Sequence, residues 1–152
     1  MVEYDCYPTN LALEHAATMH SPTMDEQRMT AAIAALQRCD AVQAAYLLGS
    51  AATGRLRSES DVDVAILPSC RAGLALETRL SLTAELARAF GRPVDLGVLS
   101  TENVVYAKEA VTTGRILFER DRAVTSWFAM LALSMYASLQ EARREVLRAY
   151  AA

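Results

Sequence analysis

One segment limits the possible folds of this chain more than any other: the alternation of acidic and aliphatic residues in DVDVAILP, residues 61–68. In a β-strand, successive side chains point to opposite faces, so Asp61 and Asp63 share one face while Val62 and Val64 share the other. The aliphatic face is expected to enter the core. The acidic face must meet water, a cation or a ligand, because two neighbouring carboxylates are costly to bury. The segment therefore predicts a strand with one core face and one polar face.

Length and composition favour a single globular domain. The chain has 152 residues, of which 53% are hydrophobic, and it can therefore bury a substantial core. Its net charge of −3 argues against an extended nucleic-acid surface, because phosphate binding needs clustered basic residues. The sequence shows neither a signal peptide nor an apolar run approaching the ~18 residues of a membrane span. Three widely spaced cysteines do not fit a disulfide framework, so we expect reduced thiols in a cytoplasmic protein.

Periodicity and helix-stop residues predict the element order α-β-β-α-β-α-β-α, which is typical of an α/β or α+β domain. Residues 1–22 are predicted to be a flexible extension, and residues 23–152 a single domain. Helices are predicted over residues 23–39, 73–91, 102–114 and 121–150, and strands over residues 41–49, 61–68, 92–100 and 115–119. Thr101 is the expected N-cap of the third helix, and the last strand is expected at a sheet edge.

The final segment, residues 121–150, contains no glycine or proline and is predicted to form one long amphipathic helix or two abutting ones. Its apolar stripe consists of Val124, Trp127, Phe128, Leu131, Met135, Leu139, Ala142 and Val146. Trp127 and Tyr136 are expected to anchor either the core or an interface with a partner.

A third acid lies in the next predicted strand. In PVDLGVLS, the alternation places Asp95 and Gly97 on one face and Val94 with Leu96 on the other. If this strand neighbours the one that carries Asp61 and Asp63, three carboxylates converge on one patch. Carboxylate oxygens, together with substrate phosphates, are ligands that suit Mg²⁺.

A phosphate-binding turn is predicted just before the acidic strand. Gly49 and Ser50 end the preceding strand and open the segment SAATG, which is compatible with a short helix. Backbone N–H groups at such a turn, with the Ser50 hydroxyl, can hold a phosphate, and Gly49 permits close approach of the backbone. Gly54 would relieve the exit from the turn. Together with the acids, this arrangement suits the triphosphate of a nucleotide.

These residues carry a family resemblance. Gly49-Ser50, ten intervening residues and then Asp61-Val62-Asp63 resemble the signature of the polymerase-β-like nucleotidyltransferase superfamily. The SDVD segment and the later VDL resemble its small bacterial branch, the minimal nucleotidyltransferases. The resemblance covers Val42 to about Leu99. It implies a small mixed sheet flanked by helices, followed here by a long C-terminal helix.

The resemblance implies roles for individual residues. Gly49 and Ser50, with Gly54 and Arg55, would bind the triphosphate. Asp61, Asp63 and Asp95 would bind Mg²⁺, and Asp95 would also help to activate the acceptor hydroxyl. Many relatives carry an arginine where Thr53 stands, so the contribution of Arg55 to triphosphate binding is left open.

The resemblance also implies a function. Minimal nucleotidyltransferases are often antitoxins that transfer AMP from ATP to a tyrosine of a HEPN ribonuclease toxin, with release of pyrophosphate. One alternative is a non-catalytic antitoxin that acts by tight binding, which the long C-terminal helix would serve. A second is nucleotidyl transfer to a small molecule such as an aminoglycoside. That reading ranks lower, because little chain is left to build an acceptor domain.

Overall fold

The structure is a computed structural model that describes residues 24–52 and 60–151. In chain order, the elements are α1 (Met24–Arg38), β1 (Val42–Leu47), α2 (Gly49–Ala52), β2 (Val62–Pro68), α3 (Leu76–Phe90), β3 (Val94–Val98), α4 (Val104–Thr113), β4 (Arg115–Glu119) and α5 (Arg122–Ala151). This order agrees with the sequence prediction and includes the short helix after the first strand. The predicted extension at residues 1–22 lies outside the described residues.

The four strands form one mixed sheet with the order β3-β2-β1-β4. β1 pairs antiparallel with both β2 and β4, whereas β2 pairs parallel with β3. β4 lies at one edge, as predicted, and β3 lies at the other. The parallel pair is joined by α3, because parallel neighbours need a crossover connection. The acid-bearing strands β2 and β3 are therefore direct neighbours.

Each face of the sheet has its own core. Val62, Val64 and Ile66 of β2 pack with residues of α1 and α3, including Leu36 and Leu86. On the opposite face, small residues such as Ala44 and Ala65 leave room for a second cluster, which includes Tyr46, Leu67, Leu99, Ala107, Ala110, Phe128 and Ala132. The predicted alternation in β2 is thus confirmed, because its valines enter the first core. The acids share the second face, which α4 and α5 only partly cover.

The capping residues at the end of α3 and at the start of α4 determine where the chain turns before and after β3. Gly91 ends α3 in the left-handed conformation, with φ of 64°, and its N–H bonds the carbonyl of Ala87. The prediction that Thr101 caps the following helix is wrong. Asn103 is the N-cap of α4, and its side chain accepts a bond from the N–H of Tyr106 at 3.2 Å. The carboxamide of Asn103 is one step from the first helical residue, so it reaches the free N–H groups that Thr101 cannot.

α5 is one continuous helix of 30 residues. Phe128 and Ala132 are buried against the sheet face, but residues 141–150 are exposed along their whole length. Part of the predicted stripe does not enter the core, since Trp127 is 59% exposed and Val124 46%, which leaves the predicted interface role for these residues. These two residues adjoin the buried Thr125 and Phe128 but lie on the side of the helix that is turned away from the sheet. The exposure of residues 141–150 has another cause, because a helix of this length extends roughly 45 Å, far beyond strands of five to seven residues. Within the described part of the chain, no helix is long and apolar enough to cross a membrane.

Candidate active site

Two carboxylates face each other across the parallel strands. Asp63 of β2 is the register partner of Asp95 of β3, so both side chains project from the same face of the sheet. Asp95 is exposed and Asp63 partly exposed, which keeps the two like charges accessible to solvent or to a cation. The ion pairs of the described residues include Arg38–Glu85, Lys108–Glu109 and Arg120–Asp40. None of these neutralises Asp63 or Asp95.

The third predicted ligand, Asp61, lies one residue before β2 and is exposed. Among the described residues, no three acidic, histidine or cysteine side chains are gathered closely enough to hold a metal ion by themselves. The convergence of all three acids on one ion therefore stays a prediction. The pair Asp63 and Asp95 still fits Mg²⁺, because this ion commonly binds one or two carboxylates and completes its shell with phosphates and water.

The Gly49-Ser50 turn lies directly against Asp63. Gly49 has a φ of 55°, and a Cβ on it would lie 2.9 Å from Asp63 Oδ2. The N–H of Leu48 donates to the carbonyl of Asp63 at 2.9 Å, which fixes the turn against β2. Only a residue without a side chain can bring the backbone this close to the carboxylate. The predicted phosphate-binding turn and the acidic strand therefore form one patch. Gly54 and Arg55, which were predicted to complete it, lie outside the described residues.

A phenol that the sequence analysis did not single out lies on the same face. Tyr106, in the first turn of α4, covers Gly97 so closely that a Cβ there would lie 2.6 Å from its Cζ. Burial raises the pKa of the Tyr106 hydroxyl, and the charges of Asp95 and then Asp63 raise it further. The hydroxyl is therefore protonated at neutral pH and close enough to both carboxylates to sense their charge. The signal in the sequence was an aromatic residue three positions after a capping asparagine.

Arg79 of α3 lies close enough to this phenol to act on it: its positive charge lowers the pKa of Tyr106 against the larger opposing effects of burial and the two carboxylates. Its Nη2 donates to the carbonyl of Leu96 at 2.7 Å, and this bond holds the guanidinium at the β3 edge. A basic residue in the first turn of an amphipathic helix gives no sequence signal of this position. Carboxylates, backbone donors and a neutral phenol thus occupy one patch that can hold a metal–phosphate group and an acceptor hydroxyl.

Comparison with known families agrees with this geometry. The family described as Polymerase beta, Nucleotidyltransferase matches residues 31–123, which include β1 to β4 and the whole carboxylate patch. A protein adenylyltransferase MntA from Shewanella oneidensis is 32% identical over 106 residues, which are 70% of this chain and 74% of that protein.

Solved structures give the same result for the three-dimensional fold. A chain from a toxin–antitoxin crystal structure with AMP-PNP superposes with a TM-score of 0.66 at 30% identity, over 82% of this chain and 98% of the other. A chain from the complex of a tri-AMPylated Shewanella oneidensis HEPN toxin with MNT antitoxin gives 0.63 at 27% identity. That alignment covers 86% of this chain and 100% of the other. The expected mixed sheet with flanking helices is therefore confirmed.

Proposed function

This chain belongs to the Polymerase beta, Nucleotidyltransferase family, and from that premise we propose that it is an antitoxin that transfers AMP from ATP to a tyrosine of a cognate HEPN toxin. Two relatives support this assignment, because one is a protein adenylyltransferase and another is bound to a tri-AMPylated HEPN toxin. We expect the protein to act in the cytoplasm, where ATP is available.

The observation that carries the proposal is the register of Asp63 opposite Asp95, beside the Gly49 turn. A nucleotidyltransferase needs oxygen ligands for a metal ion, donors for the departing phosphates and a carboxylate near the acceptor hydroxyl. Asp63 and Asp95 supply the oxygen ligands, and we expect Asp61 to join them when the nucleotide binds. The Gly49-Ser50 backbone supplies the donors.

The reaction follows from this placement. The acceptor oxygen attacks the α-phosphorus of ATP, the bond from that phosphorus to the bridging oxygen breaks, and pyrophosphate leaves in line. Asp95 accepts the proton of the attacking hydroxyl. Mg²⁺, when bound, offsets phosphate charge and lowers the pKa of that hydroxyl. Gly49 and Ser50 hold the leaving phosphates, for which Gly54 and Arg55 are further candidates.

One observation favours the second candidate function, neutralisation of the toxin by tight binding. α5 exposes large apolar side chains along its outer surface, including Trp127 and Met130 at 59% and 63% exposure. Such residues are typical of protein interfaces. Binding and AMP transfer are compatible, so the experiment must separate their contributions to neutralisation.

The test is incubation of the purified protein with α-labelled ATP, Mg²⁺ and the toxin encoded beside it. Wild type is compared with Asp61→Asn/Asp63→Asn and with Asp40→Asn, a matched control at an exposed carboxylate whose recorded ion pair, 3.8 Å to Arg120, lies at the surface. We expect the toxin to be labelled by wild type and by the control, but not by the double variant. If the double variant does not label the toxin but still neutralises it fully, the antitoxin activity is due to binding and not to AMP transfer.

A further inference from the structure

Different groups lie beside Asp63 and beside Asp95. The strand order β3-β2-β1 places the Gly49 turn, which follows β1, on one side of Asp63. Asp95 lies on the other side, in β3, and Tyr106 covers Gly97 of the same strand. The phosphate donors therefore lie on the β1 side of the two carboxylates, whereas the phenol lies on the β3 side, over a residue two positions after Asp95.

In-line displacement gives these two sides distinct tasks. The attacking oxygen and the departing pyrophosphate lie on opposite sides of the phosphorus. If the Gly49 turn holds the departing phosphates, the acceptor hydroxyl must approach from the β3 side. That approach passes Asp95 and the phenol of Tyr106, which covers Gly97, the residue two positions after Asp95 and roughly 6–7 Å further along β3. Both groups project from the same face of the sheet, so one incoming hydroxyl group can meet them together.

We propose that Tyr106 is an acceptor-positioning residue, whose hydroxyl meets the incoming hydroxyl of the partner protein beside Asp95. This inference rests on the proposed AMP transfer and adds to it the place where the acceptor enters. Tyr106 is suited to the task because its O–H stays protonated and can donate or accept a hydrogen bond. Its backbone is fixed by the Asn103 cap, and its ring rests on Gly97.

The structure also explains why the side chain of Tyr106 is held in a fixed position. The ring is partly buried, and Tyr106 packs at the border of the core cluster that contains Leu99 and Ala107. Arg79, bonded to Leu96, lies within electrostatic range of the hydroxyl. A side chain packed against both Gly97 and the core cluster can orient a substrate group without losing much conformational entropy on binding.

The test measures steady-state transfer to the HEPN toxin by Tyr106→Phe, which keeps the ring, and by Tyr106→Leu, which does not. The control is Tyr136→Phe, which removes a phenol hydroxyl that accepts a bond from Gln140 on α5, away from the carboxylates. We expect Tyr106→Phe to lower kcat/KM for the toxin about tenfold, the equivalent of one hydrogen bond. Its KM for ATP should match wild type, because the phenol lies on the far side from the phosphate turn.

Equal transfer by Tyr106→Phe and wild type would overturn the inference, and so would a parallel loss of ATP affinity. A purely structural role is excluded by measuring the melting temperature of Tyr106→Phe, which should stay at the wild-type value. Failure of the proposed function has a different signature. In that case the variant Asp61→Asn/Asp63→Asn would transfer like wild type, and the acceptor-side role of Tyr106 would fail with it. If the double variant is inactive and Tyr106→Phe is fully active, the proposed AMP transfer stands and only the positioning role of Tyr106 is refuted.

Discussion

The phenol of Tyr106 occupies the space that a side chain on Gly97 would need. A Cβ built on Gly97 would lie 2.6 Å from Cζ and 2.9 Å from Cε1 of that ring. Gly97 of β3 and Tyr106 of α4 are therefore packed together. Because Gly97 has no side chain, the ring of Tyr106 can lie on the sheet close to Asp95.

Gly97→Ala is therefore expected to destabilise the fold by about 1–3 kcal/mol, the usual cost of overpacking, and to reduce AMP transfer. The ring of Tyr106 would have to move away from the carboxylates. Tyr106→Leu should relieve the clash, so the double variant should lose less stability than the sum of the single variants. Urea unfolding of all four proteins measures this coupling. Additive losses would mean that the two residues do not compete for the same space.

Asp63 and Asp95 are expected to lower the stability of the folded protein, although AMP transfer requires them. Asp63 and Asp95 are register partners with like charges, so Asp63→Asn should raise the melting temperature slightly, by about 1–2 °C. The same change should abolish transfer. Mg²⁺ with a non-hydrolysable ATP analogue should raise the melting temperature of wild type, but much less that of the variant. A variant that is both inactive and strongly destabilised would instead indicate a structural role for Asp63.

Gln43 is expected to fix the start of α5 to the sheet. It is only 6% exposed, and its Nε2 donates to the carbonyl of Asp121 at 2.7 Å and to Thr125 Oγ1 at 3.4 Å. Gln43→Leu leaves those acceptors without this donor and should lower the free energy of unfolding by about 1–3 kcal/mol. Gln37→Leu, at an exposed position, should change it by less than about 0.5 kcal/mol. Chemical denaturation compares the two variants, and equal stability would contradict the anchoring role.

Tyr46 should make the fold sensitive to high pH. Burial, and then the charge of Glu119, raise the pKa of its hydroxyl above the ordinary 10.0. The folded state therefore holds this proton more tightly than the unfolded state does. The stabilisation is complete below about pH 10 and decreases as pH rises through the folded pKa.

Tyr46→Phe removes this titration, so its free energy of unfolding should fall less between about pH 9 and pH 11 than that of wild type. Part of the decrease should persist, because the pKa of Tyr106 is raised as well. Urea unfolding at the two pH values provides the comparison. Equal decreases in the two proteins would show that Tyr46 does not contribute to the alkaline instability.

Much of the fold followed from local patterns. The alternation around Asp63 predicted a strand with separate acidic and aliphatic faces, and Gly91 predicted a helix end; both are confirmed. The cap of α4 was misplaced because Thr101 and Asn103 are both good capping residues, and only the path of the chain after β3 selects between them. The exposure of Trp127 also depends on tertiary structure, since helical periodicity does not say which part of an apolar stripe faces the sheet.

The sequence by itself determined which residues form strands and helices and which side chains share a face, because side-chain direction follows from backbone geometry over a few neighbouring residues. Only the tertiary structure decided that Asp63 lies opposite Asp95, that Gly49 touches Asp63 and that Tyr106 covers Gly97. These contacts join residues far apart in the chain. They depend on strand order, register and helix packing, which are set by the burial of the whole core and not by any single segment.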